Sequence, residues 1–215
     1  MTIRDNAPAA RAVKPRASTL ERRQAILRAA LGVFGTRGYN AGALAEIAEQ
    51  AGMTHAGVLH HFGSKEALLV AVLRYRDDAD LEGVPEPELP YGEDFLRHLV
   101  HTAEVNMTRP GVVQAYSVLS AESVTEGHPA QTYFIGRMVG LRERISDAVR
   151  ETVGPDVSEQ RVQDAAASLI AVMDGLQVQW LLDPTAIDMP RTLRFVIDAL
   201  VDRLTGEPDH DINPT

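Results

Sequence analysis

The stretch "AGALAEIAEQAGMTHAGVLHHF", residues 41–62, decides the fold. Leu44, Ile47, Ala48 and Ala51 recur at helical spacing, so 43–51 reads as a short helix with one apolar stripe. Gly52 ends it, because a tight turn needs the left-handed conformation that glycine adopts freely. Thr54 can cap a second short helix over 55–61, its hydroxyl taking up an orphan N–H. Ala48 must be small where the two helices cross, and Val58 returns to their shared core. Two short helices joined by a glycine-containing turn form a helix-turn-helix.

The flanks extend this unit. In "STLE", Ser18 and Glu21 have the spacing of a capping box, and a helix follows over 18–36. Ile26, Leu27, Ala30, Val33 and Phe34 share one face of it, and Gly38 is its stop signal. On the other side Ser64 caps a long helix, "KEALLVAVLRYRDDA". The expectation is a three-helix head over 18–64 and a connecting helix over 65–79. Residues 1–17 carry Arg4, Arg11, Lys14 and Arg16 among alanines and prolines and read as a disordered basic arm. The prolines and acids of "DLEGVPEPELPYG", 80–92, break the helix and set a loop before the rest. Beyond it every segment has helical spacing, and none alternates with period two. An all-α chain of about nine helices follows, with a body over 80–206 and a disordered tail over 207–215.

Charge is divided along the chain. The net charge is −9, yet residues 1–76 carry +6 and residues 77–215 carry −15. A basic head on an acidic body suits a protein that touches nucleic acid at one end. The absence of cysteine removes disulfides, thiolate metal sites and cysteine nucleophiles. The N-terminal stretch lacks the apolar run of a signal peptide, and no segment reads as the roughly 18 apolar residues of a membrane span. A cytoplasmic protein with no membrane partner is expected.

The stretch "AILRAALGVFGTRGYNAGALAEIAEQAGMTHAGVLHHFGSKEALL", 25–69, resembles the DNA-binding head of the TetR family of transcriptional regulators. The run from Ile47 through "AEQAG", then Val58, "HHF" and "SKEALL", carries the resemblance most specifically. "HPAQTYF" and "MDGLQVQWLLDP" are further local matches in the body. The resemblance implies an all-helical homodimer whose body binds a small molecule. That ligand would change the spacing of the two heads and release a pseudo-palindromic operator in double-stranded DNA.

A recognition helix presents its first turns to base edges in the major groove. Here that places Thr54, His55, Ala56, Gly57, Leu59 and His60 at the DNA. The small residues let the helix sit deep, the histidines can exchange hydrogen bonds with bases, and Leu59 can touch a thymine methyl. Lys65 with Ser64 could hold a phosphate, and family position adds Tyr39 and His61. Three departures from the family pattern stand out. Leu59 replaces a tyrosine, Gly42 and Ala43 replace threonine or serine and leave only backbone donors, and Ala45 replaces a polar residue. Fewer side-chain phosphate contacts imply a shallower salt dependence. A metal reading of His55, His60 and His61 fails because their spacing fans them around a helix. No cofactor is implied.

In the body, Asp94, His98 and His101 share a helix face that could be a metal set, a pocket wall or a plain polar face. The pocket candidates are His98, His101, Tyr116, Tyr133, Phe134, Arg137, Met138, Met173 and Gln177. An effector site needs an apolar cavity with a few polar anchors. Val172, Leu176, Trp180, Leu193, Val196, Ile197, Leu200 and Leu204 on the last two helices are the expected dimer interface, a four-helix bundle by family resemblance. The function expected is a ligand-responsive repressor. The alternatives are an all-helical enzyme acting on a small apolar substrate, which lacks a phosphate loop, nucleophile elbow or HExxH motif here, and a ligand-free DNA-coating protein.

Overall fold

The computed structural model describes residues 17–80 and 90–206. The expected basic arm over 1–16, the loop over 81–89 and the tail over 207–215 lie outside the described residues. Among the described residues there are nine helices and no strand. They are α1 (Ala17–Ala41), α2 (Leu44–Gln50), α3 (His55–Phe62), α4 (Lys65–Asp80), α5 (Gly92–Met107), α6 (Pro110–Glu122), α7 (Gln131–Val153), α8 (Glu159–Leu182) and α9 (Met189–Thr205). α1 starts one residue ahead of Ser18, the expected cap, and runs past 36 to Ala41. Gly38 does interrupt it, with φ 71° and ψ 178°, but the chain resumes helical geometry for a last turn.

Two apolar cores organise the helices. The first joins Ile26, Val33 and Phe34 of α1 to Ile47 and Ala48 of α2, Val58 and Phe62 of α3, and Leu68, Leu69 and Val72 of α4. It also takes in Tyr116 and Leu119 of α6, with Ala130 and Phe134 at the start of α7. The head therefore shares its core with two helices of the body. Gly35 lets the backbones of α1 and α6 come close, since a Cβ there would stand 3.1 Å from the Cα of Ala115. The second core is built by α5, α7, α8 and α9 around Phe95, Leu99, Ile145, Leu169, Trp180 and Leu193.

That second core changes the reading of the last two helices. Leu176, Trp180, Leu193, Ile197 and Leu204 are buried inside a single protomer, so they have little surface left for a partner. Val172, Val196 and Leu200 are half-buried against the same core. A long helix can carry one apolar face inward and another outward, and sequence spacing alone does not say which is which. The outward face of α8 carries Ala167, Ala171, Val178 and Leu182, all exposed, and α9 adds Phe195. This double-sided character makes Glu159–Leu182 long and apolar enough, by length and composition, to cross a membrane, contrary to expectation. Its inward residues are spent on the protomer core.

Candidate nucleic-acid interface and head–body joint

The recognition unit forms from local signals. The Gly57 N–H donates to the Thr54 hydroxyl at 3.1 Å, capping α3. Gly52 turns the chain with φ 64°. The Ala67 N–H donates to the Ser64 hydroxyl at 3.1 Å and starts α4. Val58 and Phe62 face inward, while His55, Ala56 and His60 are exposed along one side of α3. Gly57, Leu59 and His61 are half-buried at the edges of that surface. A Cβ on Gly57 would press within 3.3 Å of both Met53 Cε and the Thr54 hydroxyl, so this glycine also protects the cap.

Several expected phosphate contacts are occupied from within. Gly42 is buried and its N–H donates to the Gly38 carbonyl at 3.2 Å, so it offers no donor to DNA. The last turn of α1 consumes that group, which spacing along the chain did not reveal. Tyr39 is also buried, and its hydroxyl donates to Glu66 at 3.0 Å. Burial, the Glu66 hydrogen bond and the Glu66 charge push its phenol up to about 12. Tyr39 is thus a structural pin, not a surface phosphate ligand. Lys65 Nζ sits 4.5 Å from the Tyr39 ring centroid and 3.4 Å from the Asn40 carbonyl, half-buried beside α3. Ala43 is exposed at the start of α2.

Long-range contacts add residues that no local pattern marks. Arg23 of α1 donates to the His61 carbonyl at 3.0 Å and lies 4.1 Å from the Phe62 ring centroid, so α1 clamps the end of the recognition helix. Arg37 pairs with Glu46 at 2.9 Å and ties α1 to α2.

The body candidates do not converge on one cavity. Tyr133 and Arg137 of α7 reach α4, where the Tyr133 hydroxyl and the Arg137 guanidinium both hold the Asp77 carboxylate, the latter at 2.6 Å. Arg76 Nη1 also meets Asp77 at 3.1 Å and its guanidinium lies 4.3 Å from the Tyr116 ring centroid. Arg137 approaches the same ring at 5.3 Å, and Tyr116 and Phe134 pack edge to face in the head-side core. Asp174 of α8 faces this group. Burial raises its carboxyl above the usual range, against the pull of Arg137 and Arg76. Burial would lower the Arg137 guanidinium, but Asp77, Tyr116 and Tyr133 more than offset this and hold it charged. Burial, then Asp77, pushes the Tyr133 phenol well up.

The remaining candidates lie apart. Met173 and Gln177 line a small interior cavity with Ala103, Asn106, Leu176, Met189 and Leu193. The Gln177 side-chain oxygen is buried there without a hydrogen-bond donor. Met138 packs half-buried against the body core. His101 opens onto a groove between α5 and α9 and pairs with Glu104 at 3.3 Å. His98 is half-buried beside Phe95, and Asp94 pairs with Arg97. Among the described residues no group of three histidines or carboxylates is placed to hold a metal ion.

Comparison with known proteins agrees with this geometry in both halves. Residues 26–72 match the bacterial regulatory proteins of the tetR family, and residues 111–206 match the C-terminal part of BetI-type transcriptional repressors. The HTH-type transcriptional regulator BetI of Rhizobium meliloti (strain 1021) is 48% identical over 194 residues, covering 87% of this chain and 92% of its own length. A Rhodococcus sp. protein described as a TetR-family transcriptional regulator superposes with TM-score 0.64 at 25% identity, covering 87% of this chain and 100% of its own. A transcriptional regulator from Saccharomonospora viridis, solved in complex with choline, superposes with TM-score 0.61 at 21% identity, covering 83% of this chain and 95% of its own. With an exposed, capped recognition helix and a relative that matches over most of both chains, the chain belongs to the TetR family of bacterial regulatory proteins and is a DNA-binding transcriptional regulator.

Proposed function

We propose that the protein acts in the cytoplasm as a homodimeric repressor that a small molecule releases from its operator. The observation that carries this reading is the ionic joint at Asp77. α4 follows directly from the recognition helix, and its far end is held by Arg137 and Tyr133 of α7. A ligand that binds better to one arrangement of α6–α8 would bias α4 and, through it, the orientation of the head. His55 and His60, with Ala56 between them, read the major groove, and Thr54 and Lys65 flank the adjacent phosphates.

The dimer forms in this reading through the outer faces of α8 and α9. Ala167, Ala171, Gly175 and Val178 give α8 a smooth side that allows close approach, and Leu182 and Phe195 supply large exposed apolar groups. Two heads on one two-fold axis would meet half-sites roughly 34–36 Å apart or a multiple of that spacing.

For the effector, Asn106 and Gln177 offer polar anchors in a small interior cavity that a small polar or cationic molecule would have to enlarge. The choline-bound Saccharomonospora viridis regulator makes quaternary ammonium compounds the first class to screen. Fluorescence anisotropy of the purified protein on DNA from upstream of its own gene, at two salt concentrations, tests the core of this reading. Binding no tighter than to random duplex would overturn it. A melting-shift screen against small amines and acids then tests the effector, since a ligand of the folded state raises the transition temperature.

A further inference from the structure

We propose that Glu122, at the end of α6, is a positioning residue for the DNA-binding head, an inference that rests on the DNA-binding reading. The head contains a flaw that its own residues do not repair. α1 breaks at Gly38, in a left-handed conformation that only glycine adopts cheaply. A break in a helix frees backbone groups that need partners from elsewhere. The partner comes from 83 residues further along the chain. Glu122 Oε2 accepts the Tyr39 N–H at 2.7 Å, and Glu122 Oε1 fills the place where a Gly38 side chain would begin, 2.0 Å from an ideal Cβ. A carboxylate accepting a backbone N–H is the stronger kind of hydrogen bond.

The contacts around this carboxylate lead toward the DNA. The Tyr39 ring carries Lys65 on one side and meets the buried His128 ring edge to face at 5.3 Å. His128 Nε2 lies 3.8 Å from Glu122 Oε2, and its Nδ1 accepts the Ala130 N–H at 3.2 Å. The Tyr39 hydroxyl reaches Glu66 in the first turn of α4. The resumed turn ends with the Gly42 N–H on the Gly38 carbonyl and hands the chain to α2. Glu122 thus fixes the break from which both α2 and the start of α4 are aimed, and these two helices bracket α3. Because Glu122 belongs to α6, which also carries Tyr116 at the ionic joint, any shift of α6 along α1 moves the carboxylate off Tyr39. The body has in this way a second grip on the head besides Asp77.

The test uses the full chain and a labelled duplex that the wild-type protein has enriched from a random library. E122A should weaken binding about tenfold or more, the loss expected when a charged hydrogen bond is removed. E122Q keeps an oxygen that can accept the Tyr39 N–H and should stay within about threefold of wild type. G38A should weaken binding in both backgrounds, because alanine is strained at φ 71°, and by more in the wild type, where a carboxylate also meets the new methyl group. Equal binding by E122A and wild type would overturn the proposal. So would parallel losses in E122A and E122Q that follow a lowered melting temperature, since these would mark a merely structural role. A wild-type chain that enriches no duplex at all would instead overturn the DNA-binding reading on which the proposal stands.

Discussion

Arg137 of α7 and Asp77 of α4 meet at 2.6 Å across the joint between body and head, with Tyr133 holding the same carboxylate. Both side chains of the pair are about three-quarters shielded from solvent, with exposures of 23% and 26%. Removing one member leaves the other poorly solvated, at a cost of about 2–4 kcal/mol. R137A should therefore lower the melting temperature clearly, and D77N should lower it more, because Arg76 still neutralises Asp77 in R137A whereas D77N takes the carboxylate from both guanidiniums. Thermal denaturation of the two variants checks this ranking, and indistinguishable melting of R137A and wild type would contradict it.

The exposed histidines of α3 give the most direct test of base reading. H60A and H55A should each cost about 1–3 kcal/mol on a selected operator while hardly changing affinity for random duplex. K65A should act differently, weakening both and reducing the slope of affinity against salt by about one. Titrations over a salt series separate the two behaviours. Uniform losses in all three variants would remove His55 and His60 from sequence recognition.

Thr54 has a structural duty beside any contact with DNA, since its hydroxyl caps α3. T54A should destabilise the protein by about 1 kcal/mol. T54S keeps the oxygen and should retain most of that stability. For a chain of this length the alanine variant should melt about 2–4 °C lower.

The outer faces of α8 and α9 predict how the dimer can be broken. Phe195 is 71% exposed and Leu182 82% exposed in the protomer. Covering a large apolar side chain contributes about 1.5–3 kcal/mol, and two-fold symmetry counts each residue twice. L182D and F195D should shift the protein toward monomer in sedimentation or light-scattering measurements. Trp180 substitutions should instead reduce the stability of the protomer itself, because Trp180 is buried within it. A dimer undisturbed by L182D with F195D would place the interface elsewhere.

Asp174 carries a pH dependence of definite sign. Burial raises its carboxyl above the ordinary range, against the opposing effect of Arg137 and Arg76. The unfolded chain then releases this proton at lower pH than the folded chain does. The stability from this group is complete below the ordinary aspartate value and is lost as pH rises through the elevated one. D174N should lack that loss, so its melting temperature should gain on that of wild type as pH rises. Melting curves from about pH 4 to about pH 7 for both proteins read this out. A profile in which wild type gains stability relative to D174N as pH rises would reverse the assignment.

The helix-turn-helix was legible from sequence because its signals are local. Thr54 and Ser64 lie three residues before the N–H groups they cap, Gly52 supplies its own turn, and Val58 sits one helical turn from Thr54. Family resemblance extended the reading to function. The effector-pocket residues were less legible. Tyr116 and Phe134 have the aromatic character of a pocket wall, but packing against α1 and α4 places them in the head-side core. Polar residue type identified Arg137 and Tyr133 as notable without naming Asp77, 60 and 56 residues away, as their partner.

The sequence by itself determined that the chain is all-helical, where the recognition helix begins, and which side of it is slim and polar. Helical periodicity and capping act over three or four residues, within the reach of a linear reading. Only the tertiary structure decided which face of α8 turns outward, that Tyr39 is consumed by Glu66, and that Glu122 completes the broken end of α1. Those outcomes depend on which helices meet, and burial is the property of a pair of surfaces, which one strand of letters does not contain.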